Sequence, residues 1–292
     1  MRWGIVFSST GFPNPDTAVD FAETAERAGF ESLWAPEHIV VAVDGPTPYS
    51  GSLDGRMDRL WRRGGIPDPL IWFAYVASRT TTIRFGTGVL ILPEHNPVVL
   101  AKTAATLDHL SGGRLMLGIG VGELPEEYAG VGMEFTNRGK RMDESIHAMR
   151  ALWRDEVATY EGRYVNFRSL QCVPTPVRGA IPLHIGGTSD AAIRRAGQLG
   201  DGYFPFVPPD KDVRDVLPVV LERVRTQARE AGRDPDAIEF TAGGARTVDA
   251  AKWFADQGVR RLTIAVRSKT TADMHDELAR FAEEVIAPTT DL

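Results

Sequence analysis

The sequence has little cysteine to work with: Cys172 stands alone among 292 residues, so no internal disulfide can form and no cysteine-based metal centre is available. The six histidines are dispersed (His38, His95, His109, His147, His184 and His275) and form no HExxH or cysteine–histidine cluster, so no metal is expected. Positive charge is also short. Lysine and arginine number 33 against 39 aspartates and glutamates, the net charge is −6, and the basic residues are scattered. That excludes the contiguous basic face that nucleic acid or an anionic membrane surface requires. No apolar run reaches membrane-spanning length, and the opening MRWGIVFSSTG lacks the apolar core and small-residue cleavage site of a secretory signal. A Gly-x-Ser-x-Gly elbow is missing, which argues against a hydrolase, and no Gly-x-Gly-x-x-Gly opens a helix as in a Rossmann fold. The expectation is a small-molecule enzyme of the reducing cytoplasm, with a homodimer as its assembly.

What is present is a globular composition, 43% hydrophobic and 25% charged, in a chain long enough for one large domain. Strand-like and helix-like segments alternate, with breakers between them. Trp3–Phe7 reads as a first strand, followed by Asn14-Pro15 as a helix start and Ala18, Phe21, Ala22, Ala25 and Ala28 on one helical face. Ser32–Ala35 is the second strand, separated by a long loop from a helix over 69–79; Ile83–Val89 is the third, before a helix that starts at Asn96-Pro97. Leu115–Gly120 is the fourth, and its return carries a helix over 138–153 and a hairpin excursion over 157–167. Leu183–Gly186, Gly202–Phe204, Ile238–Thr241 and Arg261–Ala265 complete the set, with an amphipathic helix over 213–228 and a closing helix through Met274, Leu278 and Phe281.

Eight strand–helix units in a chain of this length predict a single (β/α)8 TIM barrel over 1–292, with loop insertions after strands two and four. An open doubly wound sheet is the alternative that alternation alone allows. In a closed barrel the site is built from the residues that follow the strands. His38 follows strand two, and since a histidine side chain can act as acid or base, it is either a catalytic group or a strand cap. Gly86 and Gly88 end strand three, where glycine permits close approach of another body or a bulge. Gly118, Gly120 and Gly122 alternate before Glu123 and clear one strand face, leaving room for a planar ring or for packing. Gly186-Gly187-Thr188-Ser189 leads into a helix whose N-terminus favours a phosphate, provided Asp190 points away.

The run Gly86 to Pro93, with Asn96-Pro97, Ala101-Lys102, Thr106-Leu107-Asp108 and Ser111 to Arg114, resembles the luciferase-like monooxygenase superfamily. So do Gly118 to Gly122, Glu127, Arg138-Gly139 with Glu144, and Ile185-Gly186-Gly187 through Asp201-Gly202. The chain looks most similar to the branch that uses coenzyme F420, an 8-hydroxy-5-deazaflavin, in place of FMN. The resemblance implies a non-proline cis peptide at Gly88-Val89 against the cofactor ring and the cofactor phosphate at Gly186-Gly187. It also implies His38 as base and Glu123 as acid, as in dehydrogenases of that branch, which carry Asp where this chain has Glu37. Glu37, Gly120, Gly122 and Thr188 complete the expected cofactor contacts.

The expected reaction is hydride transfer between C5 of the deazaflavin and an alcohol, carbonyl or activated alkene. An FMN-dependent monooxygenase on the same barrel and a non-catalytic flavin-binding carrier are the alternatives. The loop over 40–65 is read as a substrate lid, with Tyr49 and Trp61 as substrate contacts and Arg56, Arg59, Arg62 and Arg63 as a basic end. Lys140 and Glu144, at helical spacing, read as a surface pair.

Overall fold

The expected strands pair in chain order around a ring. In a computed structural model that describes residues 1–42, 46–49, 65–207, 211–268 and 270–292, they are β1 (Arg2–Val6), β2 (Ser32–Ala35), β3 (Arg84–Thr87), β4 (Leu115–Gly120), β5 (Leu183–Gly186), β6 (Gly202–Phe204), β7 (Glu239–Gly243) and β8 (Val259–Ala265). Each pairs with the next in parallel. β8 returns to β1 from Arg2↔Arg261 to Val6↔Ala265, and the eight-stranded barrel is closed.

Helices α1 (Pro15–Arg27), α2 (Pro69–Ala77), α3 (Pro97–Leu110), α4 (Arg138–Arg154), α5 (Asp190–Leu199), α6 (Val213–Glu230), α7 (Val248–Asp256) and α8 (Thr271–Phe281) accompany the strands. Their starts follow capping chemistry. Asn96 accepts from the N–H groups of Val98 and Val99, Asp68 from that of Ile71 and Ser189 from that of Ala192. Asn14 occupies the cap position of α1, but its side chain makes no cap bond there. No helix among the described residues is long and apolar enough to cross a membrane.

Three readings need correction. β3 ends at Thr87 rather than Val89, because the Gly88-Val89 peptide is cis and the chain rejoins β4 only as a two-residue stub, Leu90–Ile91. β1 ends one residue early, because Phe7 turns into the left-handed region at φ 58. Helix α7 has no counterpart in the sequence reading: it is nine residues long and buries only Ala251 and Phe254, too few for a helical stripe to stand out. The hairpin excursion is real, formed by Ala158–Glu161 and Asn166–Leu170 in antiparallel register. Glu144, paired by spacing with Lys140, is taken up by this hairpin: it accepts from the N–H groups of Arg163, Tyr164 and Val165.

The barrel interior is organised by Trp34 of β2, fully buried, whose indole N–H donates to Ser32 Oγ at 2.9 Å. Its ring lies where a side chain on β3 would stand: a Cβ on Gly86 would come within 2.6 Å of the indole. Gly86 is therefore a packing device, and the body that approaches it is Trp34.

Candidate active site at the carboxyl ends of the strands

The alternating glycines of β4 also face protein. A Cβ at Gly118 would meet the Thr87 carbonyl oxygen at 1.9 Å, one at Gly120 the Val89 side chain at 2.7 Å, and one at Gly122 the Ile91 side chain at 2.8 Å. Residues 87, 89 and 91 thus seat against 118, 120 and 122, and the face cleared on the strand is filled by the segment that contains the cis peptide. Gly186 of β5 receives Val89 from the other side, where a Cβ would lie 2.6 Å from it. Val89 is held as a ledge between β4 and β5 at the mouth of the barrel, half-buried, and any larger residue at Gly120 or Gly186 would displace it.

His38 and Glu37 leave β2 in different directions. His38 is half-buried, and its Nδ1 lies 2.9 Å from Oε2 of Glu127. Glu127, on the short helix Pro125–Gly130 after β4, has a side chain only 1% exposed and also accepts from the N–H groups of Ile39 at 2.6 Å and Val40 at 3.4 Å. With Nδ1 held there, Nε2 is the ring nitrogen left to act. Tyr49 meets the His38 ring edge-on at 5.5 Å. Burial, then the charges of Glu123 and Glu127, push the Tyr49 hydroxyl above its ordinary range. Tyr49 thus packs on His38 and feels the charge of Glu123, which stands half-buried just past β4.

Glu37 takes a different place from the one expected at the cofactor edge. It is buried, accepts from the Ile91 N–H at 2.6 Å, and lies 3.0 and 3.1 Å from His95 Nε2 through its two oxygens. Burial depresses His95, but the hydrogen bond and charge of Glu37 outweigh it and raise His95 above its ordinary value. A buried carboxylate must be satisfied. Glu37 achieves this by clamping the loop after β2 to the turn that follows the ledge.

On β5 the chain passes through Gly187 in the left-handed region at φ 98, with its carbonyl accepting from the Tyr203 hydroxyl at 2.9 Å. Thr188 is half-buried, and Ser189 caps the ten-residue α5. Asp190 points outward, its carboxylate 2.6 Å from Arg223 on α6, so the helix N-terminus is not opposed by its own acidic residue.

Two features of the mouth escaped the sequence reading. Glu127 was visible as part of a family pattern, but without the tertiary structure nothing tied it to His38, 89 residues earlier. Glu94, in the turn after the ledge, is 4% exposed, and neither of its carboxyl oxygens has a hydrogen-bond partner among the described residues. Burial, then the charges of Glu127 and Glu37, raise its carboxyl to about 8 against the pull of Arg141. No sequence signal distinguishes Glu94 from a surface glutamate.

Only the roots of the expected lid are described. Val41, Tyr49 and Ile66 pack on Leu124, and the N–H and hydroxyl of Thr47 donate to Glu126 at 3.2 and 2.8 Å. Both ends of the loop thus rest on the segment around Glu123 and Glu127. Trp61, with Arg56, Arg59, Arg62 and Arg63, lies outside the described residues. No cluster of metal-ligating side chains occurs among the described residues.

Comparison with known proteins agrees with this architecture. The chain is 29% identical over 283 residues to an F420-dependent glucose-6-phosphate dehydrogenase of Kineococcus radiotolerans, covering 93% of this chain and 76% of the relative. Its fold superposes on an F420-dependent secondary alcohol dehydrogenase holding an F420–acetone adduct with a TM-score of 0.77, at 18% identity over 98% of both chains. A monooxygenase from Streptomyces bottropensis matches with a TM-score of 0.75, at 20% identity over 99% of both chains. Residues 1–287 match the luciferase-like monooxygenase family model, and with the closed barrel and its strand-end mouth in place, the chain belongs to that family.

Proposed function

We propose that this protein is a coenzyme F420-dependent oxidoreductase that moves a hydride between the deazaflavin C5 and a small organic substrate, an alcohol–carbonyl pair or an activated alkene. The observation that carries this reading is His38 on a buried carboxylate at the end of β2, beside Tyr49, whose hydroxyl feels the charge of Glu123. Relatives named as F420-dependent dehydrogenases support the cofactor.

The residues present fit such a cofactor. Val89, seated by Gly120 and Gly186, forms with Gly88 a ledge at the mouth against which a planar ring can lie, and Gly187 and Thr188 lead into a helix N-terminus suited to a phosphate. The deazaflavin, when bound, supplies hydride acceptance or donation at C5. His38 takes the hydroxyl proton of an alcohol through Nε2, or returns it to a carbonyl in the opposite direction. Glu123 holds the balancing proton, and Glu37 supports the ledge from behind through Ile91. Tyr49, with its hydroxyl kept protonated, can donate to a substrate oxygen beside His38.

Titration of the purified protein with F420 and with FMN, followed by absorbance and fluorescence, tests the cofactor. Saturable binding of F420 is expected, and tight FMN binding with no response to F420 would overturn the assignment. On a panel of alcohols and sugar phosphates followed by F420 absorbance, His38→Ala is expected to lower turnover by about 10²–10⁴-fold with F420 affinity retained. Turnover equal to the wild type removes His38 from the mechanism.

A further inference from the structure

The geometry points to Glu127 as a positioning residue that fixes the tautomer of His38, with hydrogen on Nδ1 and the basic lone pair on Nε2 facing the mouth. This rests on the reading of His38 as the base. The argument begins with hydrogen-bond capacity. Oε1 of Glu127 receives the Ile39 N–H at 2.6 Å and the Val40 N–H at 3.4 Å, while Oε2 lies 2.9 Å from His38 Nδ1. Backbone N–H groups can only donate, so Oε1 is an acceptor. An ionised carboxylate offers no hydrogen from Oε2 either, and the hydrogen of the 2.9 Å contact therefore sits on Nδ1. A 1%-exposed carboxylate has no water with which to replace that donor, so rotating the imidazole away would leave a buried anion short of a partner. The nearby Glu94 does not add to the negative charge near pH 7, since burial and its carboxylate neighbours keep it protonated up to about 8.

The same contacts admit a plainer role, in which Glu127 only anchors the root of the loop after β2. Glutamine separates the two. In Glu127→Gln the side-chain oxygen can keep the Ile39 and Val40 N–H groups, but the amide NH2 then faces Nδ1 and can only donate. His38 must accept through Nδ1 and carry its hydrogen on Nε2, the wrong nitrogen for a base. A mere anchor survives this exchange; a tautomer-setting residue does not.

The test is ¹⁵N–¹H correlation spectroscopy of the histidine rings at a pH where His38 is neutral, with His38→Gln to assign its signals, alongside kinetics of the F420-loaded enzyme. The expected result is an Nδ1–H ring in the wild type and an Nε2–H ring in Glu127→Gln. The kcat of that variant should fall about 10²–10⁴-fold with KM and F420 affinity within about twofold of wild type, and Glu127→Asp should recover part of the loss. An Nε2–H ring in the wild type overturns the proposal with no variant needed, and so does a Glu127→Gln enzyme with unchanged ring signals and unchanged kcat. A ring that switches tautomer in a protein that does not turn over with F420 supports Glu127 and instead removes the cofactor assignment.

Discussion

The two ends of the barrel treat their carboxylates in opposite ways. At the amino-terminal ends of the strands, Arg261 is fully buried beneath the Trp34 ring and binds Glu31 through two nitrogens, at 2.7 and 2.8 Å, and also Glu239. Arg84 adds to Glu31 at 3.4 Å and Arg2 to Glu239 at 2.6 Å. Burial pushes Glu31 upward, but the hydrogen bonds and charge of Arg261 win and lower it to about 2. At the carboxyl-terminal ends, Glu37 and Glu127 each hold a histidine, and Glu94, in the field of both, is raised to about 8 with no hydrogen bond among the described residues. One end neutralises its carboxylates with guanidinium groups and gains a rigid base. The other leaves a buried, unsatisfied acid beside two histidine–carboxylate pairs, an arrangement that contributes little to stability.

That contrast has measurable consequences. The largest is at the base: Arg261→Met leaves Glu31 and Glu239 without their central cation and should cost about 3–5 kcal/mol of unfolding free energy. Urea denaturation checks it, and a loss below about 1 kcal/mol would mean that the matched charges contribute little. Next comes the pH response. Glu31 is lowered in the folded state, so its contribution is present above pH 4.5 and fades as pH falls toward about 2. Glu94 is raised, so its contribution is present below pH 4.5 and is lost as pH rises toward about 8. Glu94→Gln removes the second dependence: between pH 6 and 9 the wild type should lose about 1–3 kcal/mol more stability than the variant. Parallel stability curves for the two proteins would show that Glu94 ionises as an ordinary carboxylate. The smallest effect belongs to the rim of the paired cluster. Arg2 is 39% exposed, and Arg2→Gln should cost less than about 1 kcal/mol, seen as a small shift in thermal midpoint.

Much of the fold was legible because strand length and glycine placement are local. Ser32–Ala35, Leu115–Gly120, Leu183–Gly186 and Gly202–Phe204 occur with the boundaries that the sequence pattern predicts. Helix α7 was not legible, since two buried side chains carry no period. In the candidate site, the sequence singled out His38 and Glu123 by their positions after strands and by family resemblance, and the cis Gly88-Val89 step expected from that resemblance is present. The purpose of the glycines was not. Gly86 makes room for Trp34, and Gly120 and Gly186 for Val89, partners from other strands that a linear pattern cannot specify.

The amino-acid sequence alone determined the strand–helix alternation and the composition of the strand ends, because both are properties of consecutive residues, whereas the pairing of the last strand with the first decides that the barrel closes. Only the tertiary structure decided which carboxylate serves which histidine. Glu37, adjacent to His38 in sequence, turns away to His95 and Ile91, while Glu127, 89 residues on, supplies its hydrogen-bond partner. Adjacent side chains at a strand end point to opposite faces, and the partner of a buried imidazole is whatever the packing of distant loops brings within hydrogen-bond reach.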